Sequence, residues 1–252
     1  MAKKFTYYGS DEYILNDKSI LFPGVNQAVN IDATLTGLAT NTQGTWSMWV
    51  KPVDSTPAST GGLMGFGDTN VTELIQINNA TNGKLRASCY VNNVNQWIFD
   101  SNSAVFSSGV WTHVFLTHNG TTPALYINNV SAPITFVISI DKTKWFNSAS
   151  GLDNGRIGCL NFNSAGDFVF YKGNIDEVSL FNKALDATER TELYNTGIPN
   201  NVLNHSASAN LVTYYRMGDA TLDTNLLIED LKNGYDATGI NLVLGDIVND
   251  VP

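Results

Sequence analysis

The feature that most constrains this chain is its rhythm. Short stretches in which apolar and polar residues alternate every second position are cut off repeatedly by Gly-, Pro- and Asn-rich turns. Thr45-Trp46-Ser47-Met48-Trp49-Val50 shows the pattern, with Trp46, Met48 and Val50 on one face and Ser47, Trp49 and Lys51 on the other. Pro52, which has no ladder donor, closes it. Ser19–Phe22 and Ala28–Ile31 flank a Pro23-Gly24 turn, and Gly61–Gly67 reads as a glycine-rich strand or bend. Glu73–Asn78, Lys84–Asn92 and Asn95–Phe99 follow as strands. Trp111–Thr117 and Ala124–Asn128 are joined through Asn119-Gly120, a strong hairpin signal. Gly155–Phe162, Phe168–Lys172 and Gly173–Phe181 complete the series. One segment departs from it: Asp186-Ala187-Thr188-Glu189 has the form of a capping box, the segment runs helical to Asn195, and Gly197 and Pro199 end it. Many short strands with one short helix predict an all-β, two-sheet antiparallel sandwich. The long polar loops are Asp54–Gly62 and Asp141–Gly155.

At 252 residues such a sandwich fits in one domain and needs neither a disulfide nor a metal to fold. Residues 19–252 are expected to form it, with 205–252 as completing strands. Residues 1–18, with Phe5, Tyr7, Tyr8, Tyr13, Ile14 and Leu15, are expected to be an N-terminal extension or attachment segment. Fourteen Lys and Arg against 23 Asp and Glu give a formal charge of −9. With no basic cluster longer than Lys3-Lys4, neither nucleic acid nor an anionic membrane is an expected partner. Cys89 and Cys159 lie in apolar stretches and read as buried free thiols, a disulfide remaining open; no Cys/His spacing suits zinc. No apolar run follows Lys3-Lys4, so the expectation is a chain made and folded in the cytoplasm.

Four motifs occur in a characteristic order. They are Ile20-Leu21-Phe22-Pro23-Gly24-Val25-Asn26-Gln27-Ala28-Val29, then Trp46-Ser47-Met48-Trp49-Val50-Lys51-Pro52. Next comes Trp111-Thr112-His113-Val114 with Leu125-Tyr126-Ile127-Asn128-Asn129-Val130, and last Gly173-Asn174-Ile175-Asp176-Glu177-Val178 followed by Leu193-Tyr194. Together, from Ser19 to Tyr194, they resemble the laminin-G-like, concanavalin A-like jelly-roll family. The segments Leu211–Asp219 and Gly245–Pro252 resemble the tail of such domains in structural proteins of tailed bacteriophages. The resemblance implies a non-enzymatic virion surface protein (capsid decoration, head fibre or tail-associated), with other virion proteins and glycans as partners and self-association expected. The alternative is a free carbohydrate-binding adhesion module.

A glycosidase of this fold needs paired carboxylates across a cleft. The six Glu residues (Glu12, Glu73, Glu177, Glu189, Glu192, Glu229) make no E-x-D-x-x-E, and no G-x-S-x-G occurs, so catalysis is not expected. The resemblance implies a structural Ca²⁺ at the sandwich edge held by Asp176 with Gly24 and Asn26, although Pro23 stands where the family carries Asp. Otherwise Asp176 simply accepts from backbone amides and Glu177 is solvated. Sugar stacking needs an exposed ring beside polar groups. Trp97 and Trp145, with Asn95, Asn147 and Asp153, are the candidates, set against packing of both rings over the sheet edges. Trp46 and Trp111 read as core, His113 as a satisfied buried histidine, and His118 and His205 as surface residues.

Overall fold

The computed structural model describes residues 15–252; Phe5, Tyr7, Tyr8, Tyr13 and Ile14 of the N-terminal segment lie outside them. In chain order the first strands are β1 (Ser19–Pro23), β2 (Ala28–Asn30), β3 (Gly44–Pro52), β4 (Gly61–Gly67), β5 (Leu74–Asn79), β6 (Leu85–Val91) and β7 (Val94–Ser101). Then come β8 (Thr112–His118), β9 (Pro123–Ile127), β10 (Val130–Ala132), β11 (Ile134–Ser139), β12 (Asn154–Ile157), β13 (Leu160–Asn161) and β14 (Asp167–Phe168). The last are β15 (Lys172–Phe181), β16 (Leu211–Tyr215), β17 (Leu227–Ile228), β18 (Ala237–Ile240) and β19 (Ile247–Val248). A single turn of helix, α1 (Leu35–Leu38), precedes β3, and α2 (Ala187–Tyr194) follows β15.

Two antiparallel sheets form the sandwich. One has eight strands in the order β10-β9-β8-β3-β15-β1-β19, with β16 also paired to β15; the other has nine, β11-β7-β6-β5-β4-β12-β2-β18-β17. The period-two alternation of the sequence sets which side chains enter the core. Trp46, Met48 and Val50 of β3, Val114 and Leu116 of β8, and Ile175, Val178 and Leu180 of β15 meet Phe66, Ile75, Ile77, Ala87, Trp97 and Phe99 from the facing sheet. Residues 205–252 are no appendage: β16 and β19 extend the eight-stranded sheet, and β17 and β18 the nine-stranded one.

The outer face of the eight-stranded sheet carries a second apolar cluster. Phe115, Phe181, Leu211 and Tyr214 project outward and are covered by Leu185, Leu193 of α2, Val202 and Ala207. Asp186 accepts from the Glu189 amide and the Glu189 side chain accepts from the Asp186 amide, the reciprocal cap read in the sequence. His205, expected at the surface, is 2% exposed, because its Nε2 pairs with the Glu189 carbonyl at 2.9 Å and its Nδ1 accepts from the Ala207 amide. His118 is buried too: its ring stacks on Trp145 at 4.9 Å, and its Nε2 meets the Lys142 carbonyl at 2.8 Å. Trp46 is core as expected, whereas Trp111 is only half-buried, with Nε1 3.3 Å from Asp250.

On the nine-stranded sheet the chain leaving β12 turns at Gly158 and crosses the outer face of β4 instead of continuing as one strand. Glycines make that crossing fit. A Cβ on Gly65 would lie 2.6 Å from Leu160 Cδ2, and one on Gly67 would lie 2.1 Å from the Asn161 carbonyl oxygen. The β13–β14 hairpin therefore packs closely over β4.

Candidate functional site

Beyond that hairpin, β5, β6, β7 and β11 present an outward row set by strand register. Gln76 lies opposite Ser88 and Ser88 opposite Ile98; Asn78 lies opposite Arg86, Arg86 opposite Asp100, and Asp100 opposite Thr135. Tyr90 continues the row of β6; on β11 Val137 lines the same face, and after a bulge Ile138 lies opposite Ile98. None of Gln76, Asn78, Arg86, Ser88, Tyr90 and Asp100 belongs to the buried apolar cluster between the sheets. The face is polar because these side chains point away from the core, while their neighbours Ile75, Ile77, Ala87 and Phe99 point into it.

At the end of this face lies a pocket of about 410 Å³, lined by Lys84, Asp100, Ser101, Asn102, Thr135 and Val137. That volume is within the range of small-ligand sites, ~300–1,000 Å³. Arg86 forks onto Asp100, Nε to Oδ1 at 2.7 Å and Nη2 to Oδ2 at 2.9 Å, and this hydrogen bonding raises the Arg86 pKa. The Thr135 hydroxyl donates to Asn102 Oδ1 at 2.8 Å, orienting the amide. Ser101 is held from behind, accepting from the Leu85 amide and donating to the Ser103 carbonyl. Next to the crossing hairpin, the Gln76 amide nitrogen donates to the Ser88 hydroxyl at 2.8 Å. Gln76 Oε1 and Asn78 Oδ1, on side chains only 9% and 4% exposed, have no donor among the described residues. Buried amide oxygens without a partner are uncommon in folded proteins. Tyr90 is half-buried, and that burial raises its phenol pKa.

The aromatic platform expected at Trp97 and Trp145 is absent, which corrects the sequence reading. The two indoles are 0% and 1% exposed and stack on each other at 6.2 Å inside the core. Trp97 Nε1 donates to the Lys144 carbonyl, so even its polar edge is used internally. The Asp141–Gly155 loop folds inward at its Phe146–Ser148 turn and carries Trp145 onto Trp46 and His118. Asn95 is half-buried on β7, with its Oδ1 lacking a donor among the described residues. Asn147 is exposed on that turn, and its amide donates to the Asn41 carbonyl. Asp153 is exposed and clasps Thr69 through the amide, at 2.9 Å, and the hydroxyl, at 2.5 Å. These five residues do not line one site.

The residues assigned to calcium do not come together either. Sheet register places Lys172 opposite Pro23, and Gly24 turns against Lys172. Asp176 lies four strand residues further on, roughly 13 Å away at strand rise. The Asn26 carbonyl is taken by the Asn241 amide. Asp176 is instead fully buried, accepting from the Glu177 amide at 2.8 Å and the Asn16 amide nitrogen at 3.1 Å. Glu177, expected to be solvated, occupies a β-bulge at φ 49° and is 5% exposed. Its carboxylate accepts from Tyr214 Oη and Arg216 Nε, and burial pushes its pKa up to about 7 against those partners. Asp219 accepts from the amides of Asp17 and Lys18, and Arg216 donates to the Leu15 carbonyl, which ties residues 15–18 to the sandwich. Burial raises the pKa of Asp176 and of Asp219 as well. Among the described residues no group of three or more His, Cys, Asp or Glu is arranged to hold a metal. Cys89 and Cys159 are buried free thiols.

The open polar face was not read from the sequence. The signal that could have found it is the Ile134–Ser139 segment, whose alternation marks a strand that brings Thr135 and Val137 to the pocket.

Comparison with known proteins bears on the fold. Residues 23–189 match the model of the Concanavalin A-like lectin/glucanases superfamily. No curated protein sequence matches the chain. Among solved structures, CBM40 of the Ruminococcus gnavus IT-sialidase, bound to alpha2,3 sialyllactose, is 15% identical with a TM-score of 0.56, over 70% of this chain and 96% of that one. A candidate carbohydrate binding protein from Bacteroides ovatus is 15% identical with a TM-score of 0.60, over 94% of this chain and 61% of that one. A heptameric SAP-like pentraxin from Limulus polyphemus is 16% identical with a TM-score of 0.51, over 89% and 94%. At these identities the likeness is one of fold.

Proposed function

Because the chain belongs to the Concanavalin A-like lectin/glucanases superfamily, we propose that it is a non-catalytic carbohydrate-binding domain whose site is the outer face of the nine-stranded sheet. The observation that carries this reading is the pocket of about 410 Å³ lined by Lys84, Asp100, Ser101, Asn102, Thr135 and Val137. Five of its six lining residues carry polar side chains, Asp100, Ser101 and Thr135 are held on strands, and Tyr90 lies on the same face. Hydroxyl-rich ligands need fixed donors and acceptors on a preformed surface, and strands hold such groups better than loops do. The carbohydrate-binding character of the structural relatives from Ruminococcus gnavus and Bacteroides ovatus supports the same assignment. The test is a glycan array probed with the purified domain, beside Asn102→Ala and Arg86→Ala variants. Binding that survives both substitutions would place the site elsewhere.

The resemblance of Leu211–Asp219 and Gly245–Pro252 to the tails of phage structural proteins supports the virion surface as the place where the domain works, holding host or environmental glycans. A free adhesion module fits the geometry equally well. Mass spectrometry of purified particles decides between them, since particles that lack the chain exclude the virion placement.

A further inference from the structure

Resting on the reading of this face as a glycan site, we infer that its ligand is a neutral saccharide recognised through neighbouring hydroxyls, and not an acidic sugar. A carboxylate is gripped best by a free guanidinium, whose planar fork matches its two oxygens. Both guanidiniums on this face are already paired with carboxylates. Arg86 turns its Nε/Nη2 edge onto Asp100, at 2.7 and 2.9 Å, so its charge is matched there. Arg156, on the far side of the crossing hairpin, divides its donors between Asp32 Oδ1 at 2.6 Å and Asp167 Oδ1 at 2.8 Å.

The pocket wall suits donors better than an anion. Asp100 is part of it, and the lone pairs its oxygens keep beside the Arg86 pair call for hydrogen donors, which a carboxylate lacks. A hydroxyl meets that need, because it donates and accepts at once. Each Asp100 oxygen accepts one guanidinium hydrogen and keeps a lone pair for a hydroxyl donor. Asn102 Oδ1 is occupied by Thr135, which leaves the Asn102 amide nitrogen to donate to a neighbouring hydroxyl oxygen. The wall thus offers an acceptor and a donor, the pair that two adjacent hydroxyls satisfy together. Lys84 is the remaining cation of the pocket, a hydrated ammonium without a planar fork that can donate to a hydroxyl oxygen.

The experiment measures direct binding of the purified domain to immobilised neutral gluco-, galacto- and manno-oligosaccharides and to sialylated and uronate-containing ones. It is run at about 0.05 M and about 0.5 M sodium chloride, because attraction between exposed charges is screened across that range. Lys84→Ala and Asn102→Ala are measured alongside, with circular dichroism confirming that each folds. The expected result is binding to a neutral oligosaccharide that changes less than about twofold with salt and with Lys84→Ala, and weakens at least about tenfold with Asn102→Ala. Binding that requires the acidic sugar, and collapses in high salt or with Lys84→Ala, overturns this inference while leaving the glycan-binding reading intact. A folded domain that retains no glycan of either class overturns that reading, and the inference with it.

Discussion

The two outer faces of the sandwich began alike, as the solvent sides of antiparallel sheets, and were finished in opposite ways. On the eight-stranded sheet Phe115, Phe181, Leu211 and Tyr214 make the outer face apolar, and Leu185, Leu193, Val202 and Ala207 close over it. Between cover and sheet lies a half-open cleft of about 10 Å³ beside Ser47, Trp49, His113 and Glu177, room for roughly one water. On the nine-stranded sheet the hairpin packs over β4, where glycines admit it, Gln76, Asn78 and Ser88 beyond it are buried, and a pocket of about 410 Å³ stays open at the end of the face. An apolar outer face has to be buried, so it becomes a second core; a polar one can be left in water, so it is free to bind. Stability and recognition are thereby assigned to different sheets.

That division makes a large asymmetry in mutational cost. Phe181→Ala on the covered face removes a ring that is 1% exposed and tilts against His205 at 5.7 Å. It is expected to cost about 3–5 kcal/mol in denaturant unfolding. A cost under about 1 kcal/mol would mean that α2 and the following segment are only loosely laid on the sheet.

Charge beneath the cover makes the same face sensitive to pH. Burial lifts the Glu177 pKa from 4.5 to about 7, with Arg216 and Tyr214 opposing. The folded state therefore holds this proton more tightly than the unfolded chain does. The stabilisation that results is fully present below about pH 4.5 and is lost as pH rises through about 7. Glu177→Gln keeps an acceptor for Tyr214 and cannot ionise, so it should flatten this part of the stability profile. Its gain over the natural residue, about 3 kcal/mol at pH 8 and vanishing toward pH 4, is checked by denaturant titrations across that range. A variant whose profile stays parallel to that of the natural chain would show that Glu177 is not the group responsible. Weaker again is the cap of α2: Asp186→Ala removes the acceptor for the Glu189 amide and should cost about 1 kcal/mol by the same measurement.

The inner core and α2 were more legible in the sequence than the open outer face. Strand alternation around Trp46, Met48 and Val50 assigned the core correctly, and the Asp186–Glu189 signature placed α2. Local pattern suffices there because the side-chain period decides burial directly. It failed at Trp97 and Trp145. Their burial depends on where a loop of the second sheet travels after Ser139, and no local period encodes that path. Asp176 failed for a related reason: its distance from Gly24 is fixed by the register between β1 and β15, and register is a property of two strands. The pocket was invisible on both counts, since its wall joins Lys84 and Asp100 to Thr135 and Val137 across three strands.

The smallest expected effect on stability is the one that separates the faces most sharply. Asn102 is exposed, and among the described residues its only side-chain bond is the one accepted from Thr135, itself exposed. Asn102→Ala should therefore change unfolding free energy by less than about 0.5 kcal/mol while glycan affinity falls at least about tenfold. Phe181→Ala should do the reverse, lowering stability while the folded fraction binds as before, because no residue of the covered cluster lines the pocket. Measuring both variants by both methods gives four numbers, and the division of labour requires the two large ones to fall on opposite sheets. If Asn102→Ala destabilises as much as it weakens binding, the open face is held together by the same bonds that would hold a ligand, and the sandwich has not separated its two tasks.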